Sequence, residues 1–220
     1  MTRLQTFTPG EYFHVYNRGT NKMNIFLDEY DYSRFQKLLF IANSNMTPKF
    51  SDLNPSSPYP VWTLERGETL VDIGSHCLMP NHFHLLIRSK NEKNTSLFIQ
   101  RILLSYSKYF NKKNNRSGNL FQGKSKSEHI LGDKYLKYIY TYQHLNPVKL
   151  IQSNWKVDGL KNIDSALNYL ENYKYSSYVD YLRRDRPEVK ILNKEVFPNY
   201  FGTPELFKRE ISDFLQYGKQ

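Results

Sequence analysis

The sequence predicts an α+β protein with a ferredoxin-like (RRM-like) antiparallel sheet, helices on one face and a C-terminal helical extension. The first observation is the order of the patterned segments: a strand, a helix, two strands joined by a tight turn, a second helix and a strand. The second is a composition of 39% apolar and 15% aromatic residues, which suffices for a buried core in 220 residues. We expect a main domain over residues 1–155 and an extension over residues 156–220.

The first segments of the chain are predicted to form a strand, a helix and a loop. Residues 12–17 are rich in aromatic and β-branched side chains, which predicts a strand. Apolar residues at helical spacing predict a helix over residues 28–42, with Asp28 or Asp31 as its cap. Residues 43–68 are polar and rich in proline, which indicates an insertion loop on the surface.

Two histidines follow, separated by one residue. A strand over residues 69–78 leads through a turn at Pro80 and Asn81 into His82-Phe83-His84-Leu85. Alternate side chains of a strand share a face, so His82 and His84 point one way while Phe83 and Leu85 face the core. Two imidazoles provide half of a metal site, although two polar residues on a half-exposed strand would give the same pattern. His14 could join such a site, but a single strand histidine is more often packed or hydrogen-bonded.

A second helix over residues 94–111 runs into a basic stretch. No acidic residue lies between Lys108 and Lys126, and the cations there alternate with amide and aromatic side chains around two glycines. Such a stretch suits a nucleic-acid backbone and its bases, although a solvated loop needs no function. Residues 125–131 complete the sheet as a last strand. The candidate DNA-binding residues are Lys112, Lys113, Arg116, Asn119, Phe121, Gln122, Lys124 and Lys126.

The overall charge also favours a nucleic-acid partner. A formal net charge of +10 favours a polyanionic partner, with a basic surface kept for solubility as the alternative. The single cysteine, Cys77, excludes an intrachain disulfide and suggests a core residue in a reducing compartment. The sequence lacks the apolar stretch of a signal peptide or membrane span, so we expect a cytoplasmic protein.

The third helix offers pairs of functional side chains. It is predicted over residues 135–146, with Asp133 as cap and Pro147 as its end. Residues four apart share a helical face, as Tyr142 does with Asn146. Spacing leaves three such pairs open: Tyr142 with Asn146, Tyr140 with His144 on nearly the opposite side, and Tyr32 with Gln36 on the first helix.

Taken together, the segments 79–87 (Met-Pro-Asn-His-Phe-His-Leu-Leu-Ile) and 142–149 (Tyr-Gln-His-Leu-Asn-Pro-Val-Lys) resemble the single-tyrosine HUH transposases. Within that family, the sequence is most similar to the REP-associated tyrosine transposases, over most of its length. The resemblance implies that Tyr142 is the catalytic tyrosine, and that His82, His84 and Asn146 bind Mg²⁺ or Mn²⁺. The basic turn has Lys124 where relatives commonly have arginine, which keeps the charge but loses a bidentate phosphate contact.

The resemblance also implies a function for the domain over residues 1–155. It would be a metal-dependent endonuclease and strand transferase for single-stranded DNA that cleaves near hairpins through a 5′-phosphotyrosine intermediate. Its partner would be a REP-like hairpin or an insertion-sequence end, bound by a monomer or a homodimer. A non-catalytic RRM-like nucleic-acid-binding protein and a phosphodiesterase that uses water are the alternatives. A binder has no use for the histidine pair with Tyr142 and Asn146, and a water-dependent enzyme would tolerate the loss of Tyr142.

Overall fold

Four strands form one antiparallel sheet in the order β2-β3-β1-β4. The computed structural model describes residues 6–46, 53, 60–182 and 185–217. With one helix after β1 and another after β3, this order is the ferredoxin-like topology, and the predicted fold class is confirmed. The strands are β1 Tyr12–Arg18, β2 Val71–Met79, β3 His82–Ser89 and β4 Lys126–His129.

Two helices cover one face of the sheet. Helix α1, Glu29–Ile41, is capped as predicted by Asp28, whose carboxylate accepts a hydrogen bond from the Asp31 amide at 3.1 Å. Helix α2, Glu92–Lys113, begins two residues before the predicted start because Asn91 caps it. Between these helices and the sheet lies the first core, which includes Phe13, Phe35, Leu38, Phe83, Leu85, Ile102 and Tyr106.

Strand β2 contains a bulge at Gly74. Ile73 pairs with Ile87 and Ser75 pairs with Leu86, so the register shifts at the residue between them. A Cβ atom at position 74 would clash with the Tyr140 hydroxyl and lie 2.7 Å from the Phe197 ring. The glycine therefore allows the next helix to pack tightly against β2.

That helix, α3 Asp133–Leu145, lies on the opposite face of the sheet from α1 and α2. Its cap is Gly132, at φ 84°, so the prediction of Asp133 as the cap was wrong. Asp133 is instead the first helical residue, where its charge complements the helix dipole. The α-helix ends before Pro147 as predicted, but Asn146 keeps helical angles (φ −53°, ψ −39°) and starts a 3-10 segment, Asn146–Leu150.

The C-terminal elements cover the same face as α3. They are α4 Trp155–Asp158, α5 Ile163–Asn172, α6 Tyr178–Tyr181 and α7 Pro204–Tyr217, so the predicted helical character of the C-terminal extension is confirmed. A second core joins them to α3 and the sheet through Leu86, Tyr140, Trp155, Leu170, Phe207 and Ile211. This core draws on both sides of residue 155, and the division there stays a prediction.

The predicted insertion loop is described only in part. Residues 47–52 and 54–59 lie outside the described residues. At the start of the loop, the Asn43 amide exchanges two hydrogen bonds of 3.0 Å with the backbone of Val71. Across the described ranges, no helix is long and apolar enough to span a membrane.

Candidate active site

A cleft of about 680 Å³ lies between the sheet and helix α3. The strands contribute alternate residues to it, because side chains two apart on a strand share a face. Phe83 and Leu85 lie in the first core on the other face, as the alternation predicts. The cleft walls include His14, Tyr16 and Arg18 from β1, His82 and His84 from β3, Lys126 and Glu128 from β4, and Tyr138 and Tyr142 from α3.

Each of the two histidines has one ring nitrogen close to a polar neighbour. His82 Nδ1 lies 2.6 Å from Asn81 Oδ1, and His84 Nδ1 lies 2.8 Å from His14 Nε2. Each Nδ1 is thus engaged, which leaves Nε2 of both rings for a further ligand. Burial lowers the pKa of His82 to about 4, helped by Arg18 and Lys149, and it lowers the pKa of His84 well below the usual value. Both rings are therefore neutral at pH 7, the state that a metal ligand requires.

Tyr142 lies half-buried in the same cleft, with its ring centroid 6.1 Å from that of His84. Burial raises the pKa of its phenol, with smaller contributions from Tyr138 and Glu128. Two cations lie over its ring: Lys156 Nζ at 4.3 Å and Lys149 Nζ at 5.7 Å from the centroid. They place positive charge over the face of the ring, and an opposite charge close to a phenol favours its ionised form.

The other two candidate pairs lie elsewhere. Tyr140 and His144 are buried in and beside the second core, and His144 Nε2 lies 2.8 Å from Ser177 Oγ. Tyr32 stacks on Tyr175 at 3.8 Å between centroids, and Gln36 donates to the backbone carbonyl of Lys174. Of the three pairs that spacing leaves open, the structure brings the tyrosine of one, Tyr142, to the histidine pair.

Asn146 lies one helical turn beyond Tyr142 and is 2% exposed. It does not line the cleft wall, and neither its amide oxygen nor its amide nitrogen has a hydrogen-bond partner among the described residues. A buried amide without partners costs free energy unless a ligand satisfies it, so this residue fits the role of a metal ligand. Within the described ranges, no group of three His, Cys, Asp or Glu residues could hold a metal, so a third protein ligand beside the two histidines would have to be of another type, such as this amide.

The candidate DNA-binding residues do not form one continuous surface. Gln122 and Lys126 line the cleft. Lys112 and Lys113 line a separate groove of about 860 Å³ on the α2 surface, together with Arg34, Arg101 and Lys108. Lys113 is also bound to Asp28 at 2.7 Å and to Asp31 at 2.6 Å, which offsets its charge.

The loop between α2 and β4 corrects one prediction. Phe121 is 6% exposed and packs against Phe83 and Tyr106 in the first core, so it cannot stack on a base as predicted. The cause is an antiparallel bridge between Phe121 and Gly19 at the end of β1, which holds this part of the loop against the sheet. Arg116 donates to Asn111 Oδ1 and to the Asn119 carbonyl, so it also stabilises the loop, while Lys124 is exposed.

Sequence reasoning missed several cleft residues. Tyr16 and Arg18 follow His14 at intervals of two on β1, a spacing that could have placed all three on one face. Glu128 is opposite His14 in the β1·β4 pairing, which local sequence does not reveal. Lys156 reaches Tyr142 from α4 because the chain turns back after α3, and no local pattern predicts that contact.

The residues of the cleft lie in or near a segment that matches a known protein family. Residues 67–146 match the family model described as IS200-like transposase. This part of the chain is similar to the IS200-like transposases. The IS200-like segment contains His82, His84, Tyr142 and Asn146, and the resemblance carried by the two motifs is confirmed at the level of this family.

No curated protein matches the chain. The whole chain is similar to a solved structure of a REP-associated tyrosine transposase bound to a REP hairpin. The identity is 14% and the TM-score 0.49, over 90% of this chain and 88% of that one.

Proposed function

We propose that the protein is a metal-dependent transposase that cleaves and rejoins single-stranded DNA near hairpins, with Tyr142 as the nucleophile. The observation that carries the proposal is the position of Tyr142 in one cleft with His82 and His84. The cleft belongs to an IS200-like segment, which supports a DNA-processing activity.

The donor set fits Mg²⁺ or Mn²⁺. His82 and His84 would bind the ion through Nε2, and Asn146 would bind it through the amide oxygen that lacks a hydrogen-bond partner among the described residues. When bound, such an ion polarises the scissile phosphate and stabilises the charge that develops on it.

Tyr142 performs the covalent step. Its phenolic oxygen forms a bond to phosphorus while the bond from phosphorus to the 3′-oxygen breaks, and the phenolic proton is lost as the 3′-oxygen gains one. The products are a 5′-phosphotyrosine and a free 3′-hydroxyl. One phosphodiester is exchanged for another, so attack by a second 3′-hydroxyl can reverse the step and join strands.

Basic residues of the cleft bind and orient the DNA backbone. Arg18, Lys126 and Lys149 line the cleft, and Lys149 and Lys156 offset negative charge near the Tyr142 oxygen. Tyr142 is half-buried between a helix and the sheet, so the backbone has to enter the cleft to reach it. An unpaired strand can do so more readily than a duplex, which favours single-stranded DNA beside a REP-like hairpin or insertion-sequence end.

The alternative of a non-catalytic RRM-like binder is less consistent with the sheet. RNA-recognition modules stack bases on aromatic side chains of an open sheet. Here, the corresponding face carries the histidine cluster and is partly covered by α3 and the second core. The monomeric or dimeric state and a cytoplasmic location stay predictions.

The test is cleavage of a hairpin oligonucleotide with a labelled single-stranded flank. We expect cleavage in Mg²⁺ or Mn²⁺, and its loss in EDTA and in the His82→Ala and His84→Ala variants, with much of the binding retained. His129→Ala is the matched control, because His129 lies on β4 and pairs with Glu11 at 3.1 Å outside the cleft wall. Cleavage at the wild-type rate in EDTA would contradict a metal-dependent mechanism.

A further inference from the structure

His14 lies behind the histidine pair. It is on β1, opposite Leu86 of β3 and Glu128 of β4, and its side chain is 5% exposed. Its ring stacks on that of His84, with centroids 5.0 Å apart and planes at 22°. The nitrogen atoms His14 Nε2 and His84 Nδ1 are 2.8 Å apart, so one of them donates a hydrogen bond to the other.

The direction of this hydrogen bond decides whether His84 can bind a cation. A neutral imidazole carries one proton, and the nitrogen that binds the cation must be the other one. If His84 Nδ1 carries the proton, it donates to His14 Nε2 and leaves His84 Nε2 open. If His14 Nε2 carries the proton, it donates to His84 Nδ1, and the proton of His84 then lies on Nε2 and blocks the ligand position.

Glu128 selects between these arrangements. When His14 Nε2 accepts, the proton of His14 lies on Nδ1, and this atom faces Glu128 Oε2 at 3.8 Å with no hydrogen-bond partner among the described residues. The carboxylate is held in place by Tyr16, whose hydroxyl donates to Glu128 Oε1 at 2.7 Å. A negative charge on this side favours an N–H over a lone pair, so it favours the arrangement that opens His84 Nε2.

We propose that His14, oriented by Glu128, is a positioning residue that keeps the His84 proton on Nδ1 and so prepares Nε2 for the metal. The chain of contacts runs from Glu128 to His14 to His84. In many metal sites a carboxylate accepts a hydrogen bond from a ligand histidine and so fixes its tautomer. Here, the His14 ring lies between the carboxylate of Glu128 and the ligand histidine, His84. The inference rests on the proposed function, because it assumes that His84 is a metal ligand.

The experiment measures Mn²⁺ binding to the full chain without DNA, from the electron paramagnetic resonance signal of free Mn²⁺. We expect His14→Leu, which cannot accept a hydrogen bond, to weaken binding about 10- to 100-fold. His14→Gln places an amide oxygen near the position of Nε2 and should restore most of the affinity. His129→Ala serves as control and should bind as the wild type does. Wild-type affinity in His14→Leu would overturn the proposal.

A second readout follows the tautomer directly. Nitrogen-15 spectra of histidine-labelled protein without metal should show the His84 proton on Nδ1 in the wild type and a mixture in His14→Leu. A wild-type spectrum with the proton on Nε2 would overturn the proposal. Should His14→Leu fail to fold, Glu128→Gln keeps both rings and should weaken Mn²⁺ binding several-fold. Unchanged affinity together with an unchanged tautomer in Glu128→Gln would also overturn the proposal.

These outcomes are separate from failure of the proposed function. If His82→Ala and His84→Ala bind Mn²⁺ as the wild type does, the metal site itself is wrong. If they lose binding while His14→Leu and Glu128→Gln do not, the metal site stands and the role of His14 fails.

Discussion

Two tyrosines of one helix, Tyr140 and Tyr142, have different surroundings. Tyr140 and Tyr142 are two residues apart on α3 and therefore face different sides. Tyr140 is 1% exposed, and burial raises the pKa of its phenol well above the usual value. Burial also raises the pKa of Tyr142, but Tyr142 faces the cleft and has two lysine amines over its ring. The lysines thus place positive charge beside the Tyr142 ring, and Tyr140 has no such charge in the second core among the described residues.

Replacing these lysines should slow cleavage. We expect Lys149→Met and Lys156→Met each to reduce the single-turnover rate on the order of 10-fold, because a charge a few ångströms from a partly buried oxygen contributes a few kcal/mol at most. Lys156→Arg keeps the charge and should retain more activity. Lys161→Met, an exposed lysine close in sequence, is the control. Wild-type rates in both methionine variants would mean that neither amine acts on the reaction.

At the scale of the element, the bulge in β2 controls how closely α3 approaches the sheet. Gly74 leaves space for the Tyr140 hydroxyl and the Phe197 ring. Next to it, Ser75 Oγ donates to Gln143 Oε1 at 2.7 Å and joins β2 to α3. Because Tyr142 directly precedes Gln143, these contacts also help to fix the position of Tyr142.

Filling this space should destabilise the protein. We expect Gly74→Ala to lower the free energy of unfolding by about 1–3 kcal/mol, since overpacking forces neighbours to shift. Urea unfolding measures the change. In a Tyr140→Phe background, the clash with the hydroxyl is removed and the cost of Gly74→Ala should be smaller. Strict additivity of the two substitutions would show that the hydroxyl is not the obstacle.

The elements were largely predictable from sequence, and the site was predictable in part. Periodicity predicted α1 and α2, a cap predicted the start of α1, and alternation placed His82 and His84 on one face, because these features depend on neighbours in sequence. The bulge at Gly74 and the contact of His14 with His84 depend on partners far along the chain. Phe121 was misread for the same reason: a mixed polar and aromatic loop does not show that its ring packs in a core.

At the scale of the whole molecule, the net charge of +10 is spread over more than one surface. Arg18, Lys126 and Lys149 face the cleft. The groove on α2 holds another group of cations, of which Lys113 is paired with two aspartates. If DNA enters the cleft, the three cleft cations should contribute more than the groove on α2 does to the affinity for a single strand.

The salt dependence of binding tests this division. Alanine at Arg18, Lys126 and Lys149 should reduce the slope of log affinity against log salt by about 2, at roughly 0.7 per phosphate contact on a single strand. The matched variant, with alanine at Arg101, Lys108 and Lys112 of the groove, should change the slope much less. Fluorescence anisotropy of a labelled oligonucleotide gives both values. The reverse order of effects would place the strand in the groove on α2.

Trapping of the covalent product shows whether Tyr142 attacks the phosphate. A hairpin oligonucleotide with a labelled flank is incubated with protein and Mg²⁺ or Mn²⁺, and the adduct is mapped by mass spectrometry. We predict a 5′-phosphotyrosine on Tyr142, its loss in Tyr142→Phe, and its retention in Tyr140→Phe. An adduct that persists in Tyr142→Phe would mean that another residue is the nucleophile. Cleavage in both variants without any adduct would mean that water is the nucleophile.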